Sequence, residues 1–134
     1  MAFTVDRIDH IVINCRDVDV TADWYVRVLG MRRETYRGDR TSLLFGRQKF
    51  NVRPTGAENW VTAEVDAPGS LDLCFIAEVA PDEIAAHLAS VGVTVTEGPT
   101  MRTGALGEMT SYYCRDPDGN LIEVSNYVGP ADRH

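Results

Sequence analysis

Two short β-type segments near opposite ends of the chain each carry one side chain that can bind a metal ion. His10 lies in the run Asp-His-Ile-Val-Ile, and Glu123 follows the run Arg-Asp-Pro-Asp-Gly-Asn-Leu-Ile. Imidazole nitrogen and carboxylate oxygen are both common ligands of divalent cations. A lone histidine is more often a hydrogen-bonded core residue, but glutamate is disfavoured inside a strand such as Ile-Glu-Val. Together the two residues predict a metal centre built from strands at both ends of the fold.

Strand alternation adds a third candidate ligand, Asp72. Successive side chains of a strand point to opposite faces, so Asp72 and Glu123 both lie opposite the more apolar face of their strands, and His10 lies opposite two isoleucines. We therefore predict that all three project into one interior, where a divalent cation offsets the cost of burying two carboxylates. Asp72 would equally suit a cap on the turn formed by the Gly-Ser pair before its strand, and that alternative stays open.

These strands belong to two similar halves, each with the order strand, helix and three strands. A helix over 20–29 is capped by Asp19 or Thr21 and ends at Gly30, and a second helix runs from Pro81 to Gly92. The predicted strands are 7–14, 32–36, 41–45 and 49–53 in the first half, and 71–76, 93–96, 110–115 and 121–126 in the second. Residues 98–107 are predicted to form a loop, 116–119 a turn, and 129–134 a frayed tail.

The halves predict one α+β domain over residues 1–134. Modules 5–53 and 70–127 are joined by a linker over 54–69, which is rich in proline and glycine. Neither half covers its own apolar sheet face, so we expect the two to form a cupped mixed sheet with the helices outside and a ligand cavity on the concave side.

Composition narrows the classes of function. The net charge of −7 argues against binding to nucleic acid, and no apolar run is long enough to span a membrane. The N-terminus lacks the layout of a signal peptide, so we expect a cytoplasmic protein. The three cysteines, Cys15, Cys74 and Cys114, are odd in number and widely spaced, which favours buried small apolar residues over a disulfide framework or a zinc site.

The chain resembles the vicinal oxygen chelate superfamily, also called the glyoxalase/bleomycin resistance/extradiol dioxygenase group. Within it the likeness is greatest to glyoxalase-domain-containing-5-type proteins. The resemblance implies paired βαβββ modules, a homodimer, and a divalent metal that chelates two oxygens of a small-molecule substrate. The segments that carry it include Arg7-Ile-Asp-His-Ile-Val-Ile, Trp24-Tyr, Leu29-Gly-Met, Phe45-Gly-Arg-Gln-Lys-Phe-Asn, Pro68-Gly-Ser-Leu-Asp-Leu-Cys-Phe, Glu97-Gly-Pro, Arg102-Thr-Gly and Arg115-Asp-Pro-Asp-Gly-Asn-Leu-Ile-Glu-Val-Ser-Asn-Tyr.

The resemblance also assigns roles to individual residues. It places the first metal ligand at His10 and the last at Glu123, with Asp72 where the second module often has histidine. The fourth ligand position falls near Asn51 to Arg53, and Arg53 stands where close relatives tend to have histidine; arginine stays protonated and does not bind metal. The resulting oxygen-rich set suits Mn, Ni, Fe, Zn or Mg. Glu123 is the candidate catalytic base, and the candidate substrate-binding cations are Arg53, Lys49 and Arg102.

Three functions remain open at this stage. The first is a metal-dependent lyase or isomerase of the glyoxalase kind. The second is a non-catalytic protein of the bleomycin-resistance type that sequesters a drug or ligand, for which the acidic charge and aromatics such as Trp60 would suit a cationic aromatic molecule. The third, a ring-cleaving dioxygenase, requires a second histidine that the matching strands lack, and it ranks last.

Overall fold

The computed structural model describes residues 2–128, so the predicted tail at 129–134 lies outside the described residues. The chain divides into two compact units, Met1–Pro68 and Gly69–His134. Within residues 2–128, neither helix is long and apolar enough to cross a membrane. The elements are β1 (His10–Cys15), α1 (Val18–Leu29), β2 (Arg32–Tyr36), β3 (Arg40–Phe45), β4 (Gln48–Pro54), β5 (Asp72–Ile76), α2 (Pro81–Ser90), β6 (Glu97–Gly104), β7 (Gly107–Arg115) and β8 (Leu121–Tyr127).

The first unit is a four-stranded mixed sheet in the order β1-β4-β3-β2, with β1 parallel to β4 and the other pairs antiparallel. Helix α1 packs on one face, where the ring of Tyr25 meets that of Phe50 edge-on at 5.4 Å between centroids. The helix begins at Val18 because Asp17 caps it by accepting from the Val20 amide. The predicted cap at Asp19 or Thr21 is therefore wrong, since both residues lie inside the first turns.

The second unit repeats this plan in the order β5-β8-β7-β6, with β5 parallel to β8. Helix α2 begins with Pro81 in its first turn, and it buries Ile84 and Leu88. The α+β architecture of two βαβββ modules, each a mixed sheet with one helix, is confirmed.

The prediction for residues 93–107 is wrong. The region predicted as a strand, 93–96, has no regular structure, whereas β6 (Glu97–Gly104) covers most of the loop predicted over 98–107. Pro99 does not prevent strand formation here, because β6 is an edge strand, where proline is tolerated. The pairing with β7 shifts register between Glu97 and Thr100. Gly98 is required at this shift, because a Cβ there would lie 2.8 Å from the backbone oxygen of Ser111.

In each sheet one face is apolar and packs on the helix, while the other carries polar side chains. The first unit's polar face holds His10, Asn14, Ser42, Lys49, Asn51 and Arg53. The second unit's polar face holds Asp72, Cys74, Ser111, Tyr113, Glu123 and Ser125. Cys15 and Cys114 are buried as predicted, but Cys74 is exposed because it lies on this polar face.

Arg53 of β4 holds the segment that follows this strand, residues 55–66, against the sheet of the first unit. The Arg53 guanidinium donates to Asp66 Oδ2 at 2.7 Å, to Asn14 Oδ1 at 2.8 Å and to the Ala57 carbonyl at 2.7 Å. Asp66 Oδ2 also accepts from the Gly56 amide at 3.1 Å. The ends of the segment are thereby held together around one ion pair.

This ion pair predicts an acid-sensitive contribution to stability. The hydrogen bond from Arg53, helped by the Gly56 amide, lowers the pKa of Asp66 from its ordinary value of 3.8. A carboxyl whose pKa is lower in the folded state stabilises fully above its unfolded pKa, and that stabilisation is lost as pH falls through the folded pKa. We expect Asp66→Asn to lower the melting temperature at about pH 6 and to flatten its fall below about pH 4.

Differential scanning fluorimetry from about pH 6 to well below pH 4, through the range in which the Asp66 carboxyl takes up its proton, measures the effect. Glu64→Gln is the matched control, because Glu64 is exposed in the same segment. An equal fall of the melting temperature with acid in wild type and Asp66→Asn would contradict the role of the ion pair.

Candidate functional site

A cavity of about 510 Å³ opens on the polar face of the second unit. It brings together three of the residues selected from sequence, Asp72, Glu123 and Arg102. Its volume is within the range usual for small-molecule sites, roughly 300–1,000 Å³. The remaining lining residues are Thr96, Glu97, Tyr113, Arg115 and Leu121.

The two carboxylates reach this cavity because β5 and β8 are parallel neighbours. Asp72 pairs with Leu121 and Cys74 pairs with Glu123, so Asp72 and Glu123 are diagonal neighbours on one face. Asp72 is exposed, and Glu123 accepts a 2.6 Å hydrogen bond at Oε2 from the buried hydroxyl of Ser111. The pair forms a patch of negative charge, in which the Glu123 carboxylate is held in one orientation by Ser111.

Arg102 is part of an ordered network rather than a solvated loop residue. It lies on β6, where one guanidinium nitrogen donates to Glu97 Oε2 at 2.6 Å and Nε donates to the Tyr113 hydroxyl at 2.9 Å. Its side chain is 40% exposed, so the cation still faces the cavity. These contacts hold one positive charge beside the carboxylates.

Tyr113 stands between the cation and Glu123. Burial raises the pKa of Tyr113 and the Glu123 carboxylate adds to this, while Arg102 opposes it. The hydroxyl therefore stays protonated at neutral pH and is available as a hydrogen-bond donor. Burial, with the charges of Glu123 and Asp72, likewise raises the pKa of the nearby Cys74 thiol.

His10 lies in the first unit, at the start of β1, with 45% of its side chain exposed. Its Nδ1 is 2.8 Å from Asp9 Oδ2, and this bond is the main reason that the pKa of Asp9 is lowered. Metal-binding histidines usually donate one ring N–H to a carboxylate in this way, which leaves the other nitrogen for the metal. With Nδ1 bonded to Asp9, the nitrogen left for a metal is Nε2.

The other two predicted substrate cations, Lys49 and Arg53, also lie in the first unit. Lys49 Nζ lies 4.4 Å from the centre of the Tyr36 ring and 3.4 Å from Ser42 Oγ. Arg53 is only 5% exposed, and its terminal nitrogens already bind the segment that follows β4. Its Nε is buried and finds no hydrogen-bond partner within residues 2–128. A contact of either cation with substrate stays a prediction.

The donor set fits a hard divalent cation only in part. Within residues 2–128, no group of three or more histidine, cysteine, aspartate or glutamate side chains is placed to hold a metal ion. The cavity is lined by three carboxylates, but Glu97 is paired with Arg102, so Asp72 and Glu123 are the two left for a cation. Mg²⁺ commonly binds through one or two carboxylates while it keeps several waters. Asp72 and Glu123 therefore suit an oxygen-seeking cation with a largely aqueous shell.

Sequence reasoning missed Ser111 and Tyr113 as members of this site. Alternation along β7 puts both on the face opposite Tyr112 and Cys114, so the signal was present. It became informative only once β7 was known to pair with β8, which sets Tyr113 opposite Glu123 and Ser111 opposite Ser125.

The chain belongs to the Glyoxalase/Bleomycin resistance protein/Dioxygenase superfamily, whose family model matches residues 7–124. It is 44% identical to virulence protein STM3117 of Salmonella typhimurium over 124 residues, which is 92% of this chain and 86% of that protein. It is 46% identical to the glyoxalase domain-containing protein RDO1 of Mycosarcoma maydis, again over 92% of this chain, and 70% of the relative is covered.

Solved structures agree with this assignment. The integron cassette protein VCH_CASS1 of V. cholerae superposes with a TM-score of 0.92 at 42% identity, covering 96% of this chain and all of that one. More distant structures share the fold alone. They include a lactoylglutathione lyase from Agrobacterium tumefaciens, at 21% identity and a TM-score of 0.70, and TnmS3, an antibiotic binding protein from Streptomyces, at 20% and 0.70. The fold thus carries both enzymes and binding proteins.

Proposed function

We propose that this protein is a metal-dependent enzyme of the lyase or isomerase type. Its substrate is a small molecule whose two oxygens chelate a divalent metal, and it acts as a homodimer. The observation that carries the proposal is the cavity that gathers Asp72, Glu123 and Arg102 on one sheet face. Membership in the Glyoxalase/Bleomycin resistance protein/Dioxygenase superfamily supports it, because two of the three classes in that description, glyoxalase and dioxygenase, are enzymes.

Each residue has a defined part in this proposal. Asp72 and Glu123 hold the metal, and His10 is proposed as a further ligand through Nε2. A divalent metal held by these residues would supply Lewis acidity to the substrate oxygens. Arg102 binds an anionic group of the substrate, and the protonated Tyr113 hydroxyl donates to a substrate oxygen. Glu123 would accept a proton as base only when it is displaced from the metal.

The first test is metal binding by the apo protein. We expect Mn²⁺, Ni²⁺ or Zn²⁺ to bind in isothermal titration calorimetry, and His10→Ala to weaken that binding by at least about 10-fold, because a lost ligand costs no less than a lost outer-shell partner. His87→Ala is the control, since His87 is exposed on α2. Equal affinity in the two variants would remove His10 from the site.

The sequestering alternative is favoured by one observation. Within residues 2–128 no three-donor group is present, while the protein carries a net charge of −7. If the apo protein binds none of the three metals yet binds a cationic aromatic probe such as ethidium, the enzyme proposal is wrong and the binding function takes its place.

A further inference from the structure

A continuous hydrogen-bonded chain of four side chains crosses the second unit's polar face. The Ser111 hydroxyl lies 2.6 Å from Glu123 Oε2 and 2.6 Å from the Ser125 hydroxyl. Ser125 Oγ lies in turn 3.4 Å from the Cys74 sulfur. Both serines are fully buried, whereas Cys74 is exposed. The chain therefore links an exposed thiol to the carboxylate that lines the cavity.

The direction of this chain follows from the donors that each group owns. An ionised carboxylate only accepts, so Ser111 gives its single proton to Glu123. Ser111 must then accept from Ser125, whose hydroxyl is closer to Ser111 than to Glu123 Oε2, at 2.6 Å against 3.4 Å. Ser125 has no second proton, which makes the Cys74 thiol the donor at the far end. Every hydroxyl hydrogen is thus oriented toward Glu123.

We propose that Ser111 and Ser125 are positioning residues that fix the Glu123 carboxylate for cation binding. Their role rests on the proposed metal-dependent function. The Ser111 hydrogen bond to Oε2 fixes the plane of the Glu123 carboxylate and leaves its remaining lone pairs for the cation, and Ser125 keeps the Ser111 hydroxyl from rotating away. A hydrogen bond of 2.6 Å to a charged acceptor is short and strong, which makes it suitable for holding a ligand.

Strand pairing explains why these residues can perform this task. Ser111 faces Ser125 directly across β7 and β8, and Tyr113 faces Glu123 one step further along the same pair. Rigid strands hold a carboxylate more closely than a loop would. The hydrogen bonds of the two serines end on Glu123, which lines the cavity, and this distinguishes them from serines that only pack within the sheet.

The test compares Mn²⁺ affinity among single variants. We expect Ser111→Ala to weaken binding by about 10- to 100-fold, the usual cost of losing an outer-shell partner of a metal ligand. Ser125→Ala should weaken it less, because Ser111 still donates. Cys74→Ala should change it by no more than about threefold, since a thiol is a weak donor. Apo-state melting temperatures show whether each variant folds.

Ser42→Ala is the matched control. Ser42 is a buried serine on the corresponding strand of the first unit, but it contacts Asn51 and Lys49 rather than a carboxylate. Wild-type affinity in Ser111→Ala, or a larger loss in Cys74→Ala, overturns the positioning role.

A second readout separates this inference from the proposed function. If wild type binds no metal, the proposed function fails, and crystal structures of wild type and Ser111→Ala then decide the positioning role. A Glu123 carboxylate that rotates in the variant supports it, and an unmoved carboxylate overturns it.

Discussion

Glu123→Gln will weaken Mn²⁺ binding by more than about 100-fold, because it removes a metal ligand and so must exceed the 10- to 100-fold effect of losing a group behind a ligand. Glutamine keeps the size of the side chain and an oxygen that can accept from Ser111. It removes the negative charge that faces Asp72 and Arg102 across the cavity. The loss of affinity therefore reports charge and ligation rather than packing. Isothermal titration of the apo protein measures it.

The charge change itself needs a control. Glu108→Gln alters the net charge equally, and Glu108 is exposed on the same sheet, on β7. The Mn²⁺ affinity of Asp72→Asn should lie between those of Glu123→Gln and Glu108→Gln, because Asp72 is more exposed than Glu123 and is not held by a serine. If Glu123→Gln binds Mn²⁺ as Glu108→Gln does, Glu123 is not a ligand and the carboxylate pair loses its proposed role.

The alternation of side chains along strands was enough to predict that these two carboxylates share a face. Asp72 and Glu123 were placed on one face because the apolar residues that alternate with them leave only that side open, and the register between β5 and β8 confirms the shared face. Period-2 patterns survive in any sheet that buries one face, since a slip by one residue would expose the whole apolar set. This is why β5 and β8 could be identified from local sequence.

Features that depend on backbone context were not accessible in the same way. The two predicted caps of α1, Asp19 and Thr21, lie two and four residues after the observed cap, Asp17, and only the observed start of the helix at Val18 identifies Asp17. Gly98 by itself predicts a loop, and the reason for a glycine within a strand is the close approach of the β7 backbone. Local propensity cannot reveal either case, because the deciding contact comes from a different part of the fold.

Long-range polar pairing was the hardest feature to derive. The resemblance placed Arg53 near a ligand position, and a substrate contact was the natural hypothesis for a cation there. Its observed partner, Asp66, lies 13 residues later in a segment predicted only as a linker. No periodicity connects the two residues, and the reason for burying a guanidinium becomes visible only when Asn14 and Ala57 are also in place.

Arg53→Met should lower the free energy of unfolding by about 2–3 kcal/mol, the usual cost of removing hydrogen bonds made by a charged group. The side chain is 5% exposed, so its bonds are protected from water. The change leaves the Asn14 and Ala57 oxygens without their donor, and it frees the segment that Asp66 fastens. Part of the loss is offset because the buried Nε already lacks a partner within residues 2–128. Urea unfolding followed by tryptophan fluorescence measures the difference.

Two further variants decide what Arg53 does. Arg47→Met is the control for the loss of an arginine, since Arg47 is exposed in the turn between β3 and β4. Arg53→Lys should recover only part of the stability, because one ammonium cannot reproduce the fork that reaches three oxygens. Arg53→Met could instead match Arg47→Met in stability but bind an anionic ligand more weakly than wild type. The hydrogen bonds from Arg53 to the segment after β4 would then contribute little to stability, and the substrate role of Arg53 would be favoured. Loss of stability with unchanged ligand affinity assigns Arg53 to the fold, and leaves the proposed substrate contact to Arg102, which lines the cavity.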